Sequence, residues 1–140
     1  MKLDKLIKYI EKNANLDRWK TTSRLERVNI IFLTTSGLLV SSANKISYDR
    51  ALAGALIMMV QLNRLYGSSM DMTKHWNPDR KDSAYLIKMI VNDITTKAWD
   101  LQELDEPLRF TSELWAVFDI ALNEGLDLAK AVKVLVPEIK

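Results

Sequence analysis

Residues 24–43, RLERVNIIFLTTSGLLVSSA, decide the fold class. From Val28 onward the stretch carries no charge and is apolar on nearly every face, over more residues than one strand uses. Ser23 stands just ahead of it and Glu26 follows three residues later, the spacing of a capping box. The pattern predicts a helix from about Ser23 to Ala43. Thr34, Thr35, Ser36, Ser41 and Ser42 interrupt it, and Val28–Ala43 falls short of the ~20 apolar residues that a bilayer needs, so it belongs to a core and not to a membrane. Its all-round apolar surface places it at the centre of the fold.

Outward from this helix the same signals recur. Leu3, Leu6, Ile7 and Ile10 predict an amphipathic helix over residues 3–14 with Lys5, Lys8 and Lys12 outward, and Asn13, Asn15 and Asp17 mark the connection after it. Ser47 caps a third helix that runs to about Tyr66 and is stopped by Gly67. Residues 67–80 read as irregular, with a turn signal at Asn77-Pro78-Asp79. A fourth helix is expected from Lys81 to Asp100, and a fifth opening at Asp105-Glu106-Pro107 and closing at Gly125. Asp127 caps a last helix, Leu128 to Val136, which Pro137 stops. There is no strand alternation, repeat or low-complexity run. The expectation is one all-α domain over residues 1–140, a compact bundle of five to six helices around Val28–Ala43 and Ala51–Leu65.

Composition agrees. Hydrophobic residues make up 48% of the 140 and charged residues 27%, with four Gly and three Pro, a globular and helix-favouring balance. Cysteine is absent, which excludes disulfides, thiolate metal sites and cysteine nucleophiles and points to a reducing cytoplasm. The N-terminal MKLDKLIKYIEKN interleaves charges with apolar residues and has no secretory h-region. Net charge is +2 but unevenly spread: residues 1–27 hold eight Lys/Arg against four Asp/Glu, and residues 100–127 hold one Arg against eight Asp/Glu. That polarity can steer an anion to the N-terminal end or pair two chains head to tail, and it is equally that of two solvated helix faces.

Most catalytic constellations are missing. Zinc and non-haem iron sites want several imidazoles or thiolates, and His75 is the one histidine. A serine triad would need that same His75, and there is no G-x-S-x-G elbow, Walker motif or dinucleotide glycine pattern. Carboxylates alone can hold Mg²⁺, and Glu113–Asp127 has a faint flavour of helical nucleotide pyrophosphohydrolases, but the E-x-x-E and E-x-x-D spacings are absent and Glu113 and Asp119 fall on different faces. Arg18, Lys20, Arg24 and Arg27 surround Trp19, a combination that suits a phosphate beside a stacked base and also suits a solvated helix end with a packed tryptophan. With pI 8.8 and no helix-turn-helix signature, nucleic acid is not the favoured partner. No cofactor is implied.

Four segments, taken in order, resemble the HD-domain phosphohydrolases, in particular their 5′-deoxynucleotidase-like branch. Arg18-Trp19 stands where that branch has an Arg-Trp pair, and Arg24–Ala43 looks like its first metal-bearing helix, with Arg24, Glu26, Val28 and Leu33 in register. ISYDRALAGALIMM (Ile46–Met59) looks like the helix leading into the His-Asp pair, and Asp93 lies where the last ligand falls. The resemblance covers roughly residues 16–67 and, more loosely, 85–100. It implies an HD-like fold that has lost its chemistry. In this register Ile31 replaces the first ligand histidine, Met58 and Met59 replace the His-Asp pair, and Leu62 replaces a nearby acidic residue. Only Asp93 could remain, and one carboxylate does not hold a catalytic metal.

The resulting expectation is a non-catalytic binding or regulatory protein, acting on a protein partner or a nucleotide and forming a homodimer, without metal. Arg18, Trp19, Arg24, Arg27 and Asp93 are its candidate ligand residues. A carboxylate- and Mg²⁺-dependent nucleotide hydrolase and a nucleic-acid-binding accessory protein are the alternatives.

Overall fold

The computed structural model describes residues 2–67, 82–104 and 106–138. Among them are seven α-helices, α1 (Leu3–Asn13), α2 (Asp17–Lys20), α3 (Arg24–Asn44), α4 (Tyr48–Leu65), α5 (Ser83–Leu104), α6 (Ser112–Asn123) and α7 (Leu128–Leu135), then a 3₁₀ turn at Val136–Glu138. No strand occurs among the described residues. The helix count exceeds the expected five or six by α2. Asp17 N–H bonds to Asn15 Oδ1 at 3.1 Å and Trp19 is drawn into the core, which turns the expected connection into one helical turn. His75 and the Asn77-Pro78-Asp79 turn lie outside the described residues, as does Asp105.

Local signals place most helix ends. Ser23 Oγ accepts from Glu26 N–H at 3.2 Å and Ser23 N–H donates to Glu26 Oε1 at 3.3 Å, so both halves of the capping box are made. Asp127 caps α7 by accepting from Lys130 N–H at 3.0 Å. Gly125, at φ +65°, ends α6: its N–H reaches Leu122 C=O and the Leu126 N–H reaches Ala121 C=O, a Schellman closure. Ser47 precedes α4 in the left-handed region without a side-chain cap bond.

Of the two helices expected at the centre of the fold, one takes that place. α4, not α3, is the helix that the others enclose. It packs against α1, α2, α3, α6 and α7, and every residue from Ala55 to Asn63 is buried. α3 buries only Val28, Ile31, Thr35 and Leu38, and packs on α4 and α5. Its opposite side leaves Leu25, Leu33, Leu39 and Val40 in water. The threonines of α3 turn inward on their own helix: Thr34 and Thr35 donate to the Ile30 and Ile31 carbonyls at 2.9 and 2.8 Å.

A second correction concerns residues 106–111. Glu106-Pro107 does not open a helix; the chain stays irregular until α6 begins at Ser112. The backbone of Phe110 is held by a side chain of α4 and is not free to form helical bonds. Asn63 Nδ2 donates to Phe110 C=O and Phe110 N–H donates to Asn63 Oδ1, each at 2.7 Å and wholly buried.

Candidate functional site

The N-terminal arginine–tryptophan corner is assembled by α2, α3 and α4, and it is largely used up in holding itself together. The Trp19 ring is 1% exposed. Its Nε1–H donates to Gln61 Oε1 at 3.0 Å, and Gln61 Nε2 donates on to Asn15 C=O at 2.8 Å. Arg27 spends its guanidinium on the same corner. Nη2 and Nε donate to Trp19 C=O at 2.7 and 3.2 Å, Nε also meets Thr22 Oγ1 at 3.1 Å, and Nη1 meets the Tyr66 hydroxyl at 3.2 Å. Arg18 is exposed, with its guanidinium carbon 5.5 Å from the Trp19 ring centroid, and Arg24 is exposed at the start of α3. Arg18, Trp19 and Arg27 are thus neighbours, but the indole face is packed and cannot take a base.

The three positions where the resemblance would place metal ligands, Ile31, Met58 and Met59, and Leu62 near them, sit inside the core. Ile31 faces in from α3, and Met58, Met59 and Leu62 from α4, all within the buried apolar cluster. Among the described residues no group of three or more His, Asp or Glu could hold a metal ion.

Asp93 belongs to a different neighbourhood, where α5 meets α6. One turn on, Lys97 Nζ donates to Glu113 Oε1 and, at 2.6 Å, to Arg109 C=O; it also lies 5.1 Å from the Phe110 ring centroid. Ser112 Oγ bonds to the other Glu113 oxygen at 3.2 Å. Burial, reinforced by the Glu113 carboxylate and opposed by Lys97, pushes the Asp93 carboxyl above its usual value. The cluster is an internal ion pair joining two helices, with Glu113 buried and satisfied. Sequence reading missed Lys97 because its partner lies 16 residues away on another helix. It missed Gln61 and Asn63 as well, although polar residues inside the apolar run MMVQLN were a visible signal.

Among the concave surfaces formed by the described residues, two lie against α3. An open hollow of about 760 Å³ lies where the C-terminal end of α3 meets the N-terminal ends of α4 and α5, beside Lys45, Tyr48, Asp82 and Glu124. Two of its charges pair with each other: Lys45 Nζ is 3.2 Å from Glu124 Oε1, and it lies 5.0 Å from the Tyr48 ring centroid. Burial and the Glu124 carboxylate push the Tyr48 phenol up, against a lowering hydrogen bond from Ser42. The other concavity, about 320 Å³, is a mainly apolar groove between α3 and α4, lined by Gly37, Leu38, Ala51 and Gly54 with Arg50 and Ser47 beside them. A Cβ built on Gly37 or Gly54 would meet nothing within 4 Å, so the groove is open at both positions.

Comparison with protein-family models, curated proteins and solved structures finds no match for this chain. No helix among the described residues is long and apolar enough to cross a membrane.

Proposed function

We propose that this chain is a non-catalytic interaction or regulatory protein that works through the solvent face of α3 and takes a protein surface as its partner. The observation that carries this reading is the character of that face: a long helix, uncharged from Val28 to Asn44, exposing Leu25, Leu33, Leu39 and Val40 beside an open, mainly apolar groove. Apolar patches kept in water on a small domain mark interaction sites. Descent from an HD-type phosphohydrolase that lost its metal belongs to the same reading. It is supported by the order of the resembling segments and by the apolar burial of Ile31, Met58 and Met59, and the absence of cysteine suits a cytoplasmic setting. A nucleotide partner is less well supported, since Trp19 and Arg27 are already engaged by Gln61, Thr22 and Tyr66.

The experiment is elemental analysis of the purified protein together with assays for phosphate release from deoxynucleoside mono- and triphosphates, with and without Mg²⁺ or Mn²⁺. Substoichiometric metal and no turnover are expected. Stoichiometric transition metal with nucleotide turnover overturns the proposal.

A further inference from the structure

From opposite ends of the sequence, α1 and α7 come to lie side by side over α4. Leu6 shares a small cavity of about 120 Å³ with Leu128 and Ala129, and Lys133 Nζ lies 5.8 Å from the Tyr9 ring centroid. The two helices therefore run in the same direction. Their apolar stripes are buried, and what they turn outward together is lysine. Lys5 and Lys12 stand within about 60° of Tyr9 around α1, counting 3.6 residues per turn. Lys130 and Lys133 stand on the open side of α7, and all four are exposed. Along the shared direction they fall within about 10 Å, on axes about 8–10 Å apart.

This charge is not compensated locally. Among the described residues no ion pair involves any of the four. Asp4 and Glu11 lie on the flank of α1 away from Tyr9, with Lys8 between that flank and the lysine face. α7 has no acidic residue; Asp127 ahead of it accepts from Lys130 N–H, and Glu138 beyond it holds Arg50. The whole-chain charge of +2 gives no sign of the patch, because Asp100, Glu103 and Glu106 offset it from another part of the surface. On whole-chain pI nucleic acid is not the favoured partner; the local charge reverses that.

The make-up of the face selects among anionic partners. It has no arginine for paired bonds to a base edge, and its ammonium groups act as point charges on flexible stems. Its aromatic ring, Tyr9, is half-buried with Lys133 over it, which leaves none for stacking the bases of a single strand. A lipid surface takes up the apolar side of a helix, but that of α1 is spent in the core, and Val134 stands alone beside the lysines. An acidic protein must match the spacing of the four cations. A duplex carries a negative charge about every 1.7 Å of its axis and meets them in any register.

We infer that the α1–α7 face binds the phosphate backbone of a nucleic-acid duplex, without sequence preference, through Lys5, Lys12, Lys130 and Lys133. This surface is separate from that of α3, and the inference does not depend on the reading given to α3.

The test is fluorescence anisotropy of labelled DNA duplexes of two unrelated sequences, titrated with the full chain. Both should bind alike, and affinity should fall on the order of 10²-fold between about 50 and 200 mM salt, as four phosphate contacts require. Lys5→Gln with Lys12→Gln, and separately Lys130→Gln with Lys133→Gln, should each lower the slope of log affinity against log salt by about two. Lys88→Gln with Arg109→Gln removes the same charge from exposed positions elsewhere and should leave the slope as in the parent. No saturable binding at the lower salt, a slope that falls equally in the Lys88 and Arg109 variant, or a strong preference for one sequence would each overturn the inference. Tighter binding to phosphatidylserine vesicles than to duplex at the same salt would also overturn it, in favour of a membrane surface.

Discussion

Asn63 and Phe110, 47 residues apart, are joined by a closed pair of hydrogen bonds in which one side-chain amide satisfies both the N–H and the C=O of a single peptide-chain residue. The amide thus does for Phe110 what a neighbouring strand would do. It fixes the approach of the irregular segment to α6 and lets the Phe110 ring enter the core. Replacing Asn63 with Leu leaves a donor and an acceptor buried without partners, at about 1–3 kcal/mol each. Urea unfolding of Asn63→Leu should show a loss of about 3 kcal/mol, and a midpoint within experimental error of the parent would show that the pair is dispensable.

Met59 is wholly buried in α4 and Met58 nearly so. Met59→Asp should therefore destabilise by about 4 kcal/mol or more, through an unpaired charge in the core, while Met59→Leu should cost less than about 1.5 kcal/mol. Thermal melts of the two proteins separate the effect of charge from that of shape. Equal melting temperatures would contradict the central position of α4.

Arg27 and Arg18 should behave differently although both flank Trp19. Arg27→Lys cannot reproduce the paired bonds to the Trp19 carbonyl together with those to Thr22 and Tyr66, and should cost about 1–2 kcal/mol. Arg18→Ala, at an exposed position, should stay within about 0.5 kcal/mol of the parent. Millimolar nucleotide should leave tryptophan emission unchanged in both. A saturable change in the parent that Arg18→Ala abolishes would restore the nucleotide reading of this corner.

The capping box at Ser23, the Asp127 cap and the glycine after α6 were legible in the sequence because each signal and its partner lie within a few residues. What decides the centre of the bundle is not local. By sequence alone α3 looks more central than α4, since its uncharged stretch, Val28–Asn44, is longer than the Ala51–Asn63 stretch of α4. α4 takes the centre because Gln61 and Asn63 find buried partners in Trp19, Asn15 and Phe110, which removes the cost of enclosing its polar positions. The candidate ligand residues divide in the same way. Trp19 could be recognised as a notable residue, but its partner Gln61 lies 42 residues away, and no spacing rule connects the two.

Asp93 gives a pH test whose sign is fixed. Its carboxyl is raised in the folded state by burial and by Glu113, so the folded protein binds that proton more tightly than the unfolded chain does. The stability this group contributes is complete below the ordinary carboxylate value and is lost as pH rises through the raised one. Asp93→Asn should therefore melt slightly higher than the parent at neutral pH, with the gain vanishing in acid below the ordinary carboxylate range. A variant less stable than the parent at neutral pH would mean that attraction to Lys97 outweighs burial.

The enclosure of α4 also bears on how the protein is made. Synthesis delivers α4 well before α6 and α7, two of the helices that cover it, so its Leu56, Met59 and Val60 side chains wait in water until those later segments emerge. During that interval the nascent chain carries a long apolar helix with only α1, α2 and α3 to shelter it, the kind of exposed surface that chaperones recognise. A stalled or truncated product ending before α7 should accordingly be found in the aggregated or chaperone-bound fraction, and not as a smaller folded domain.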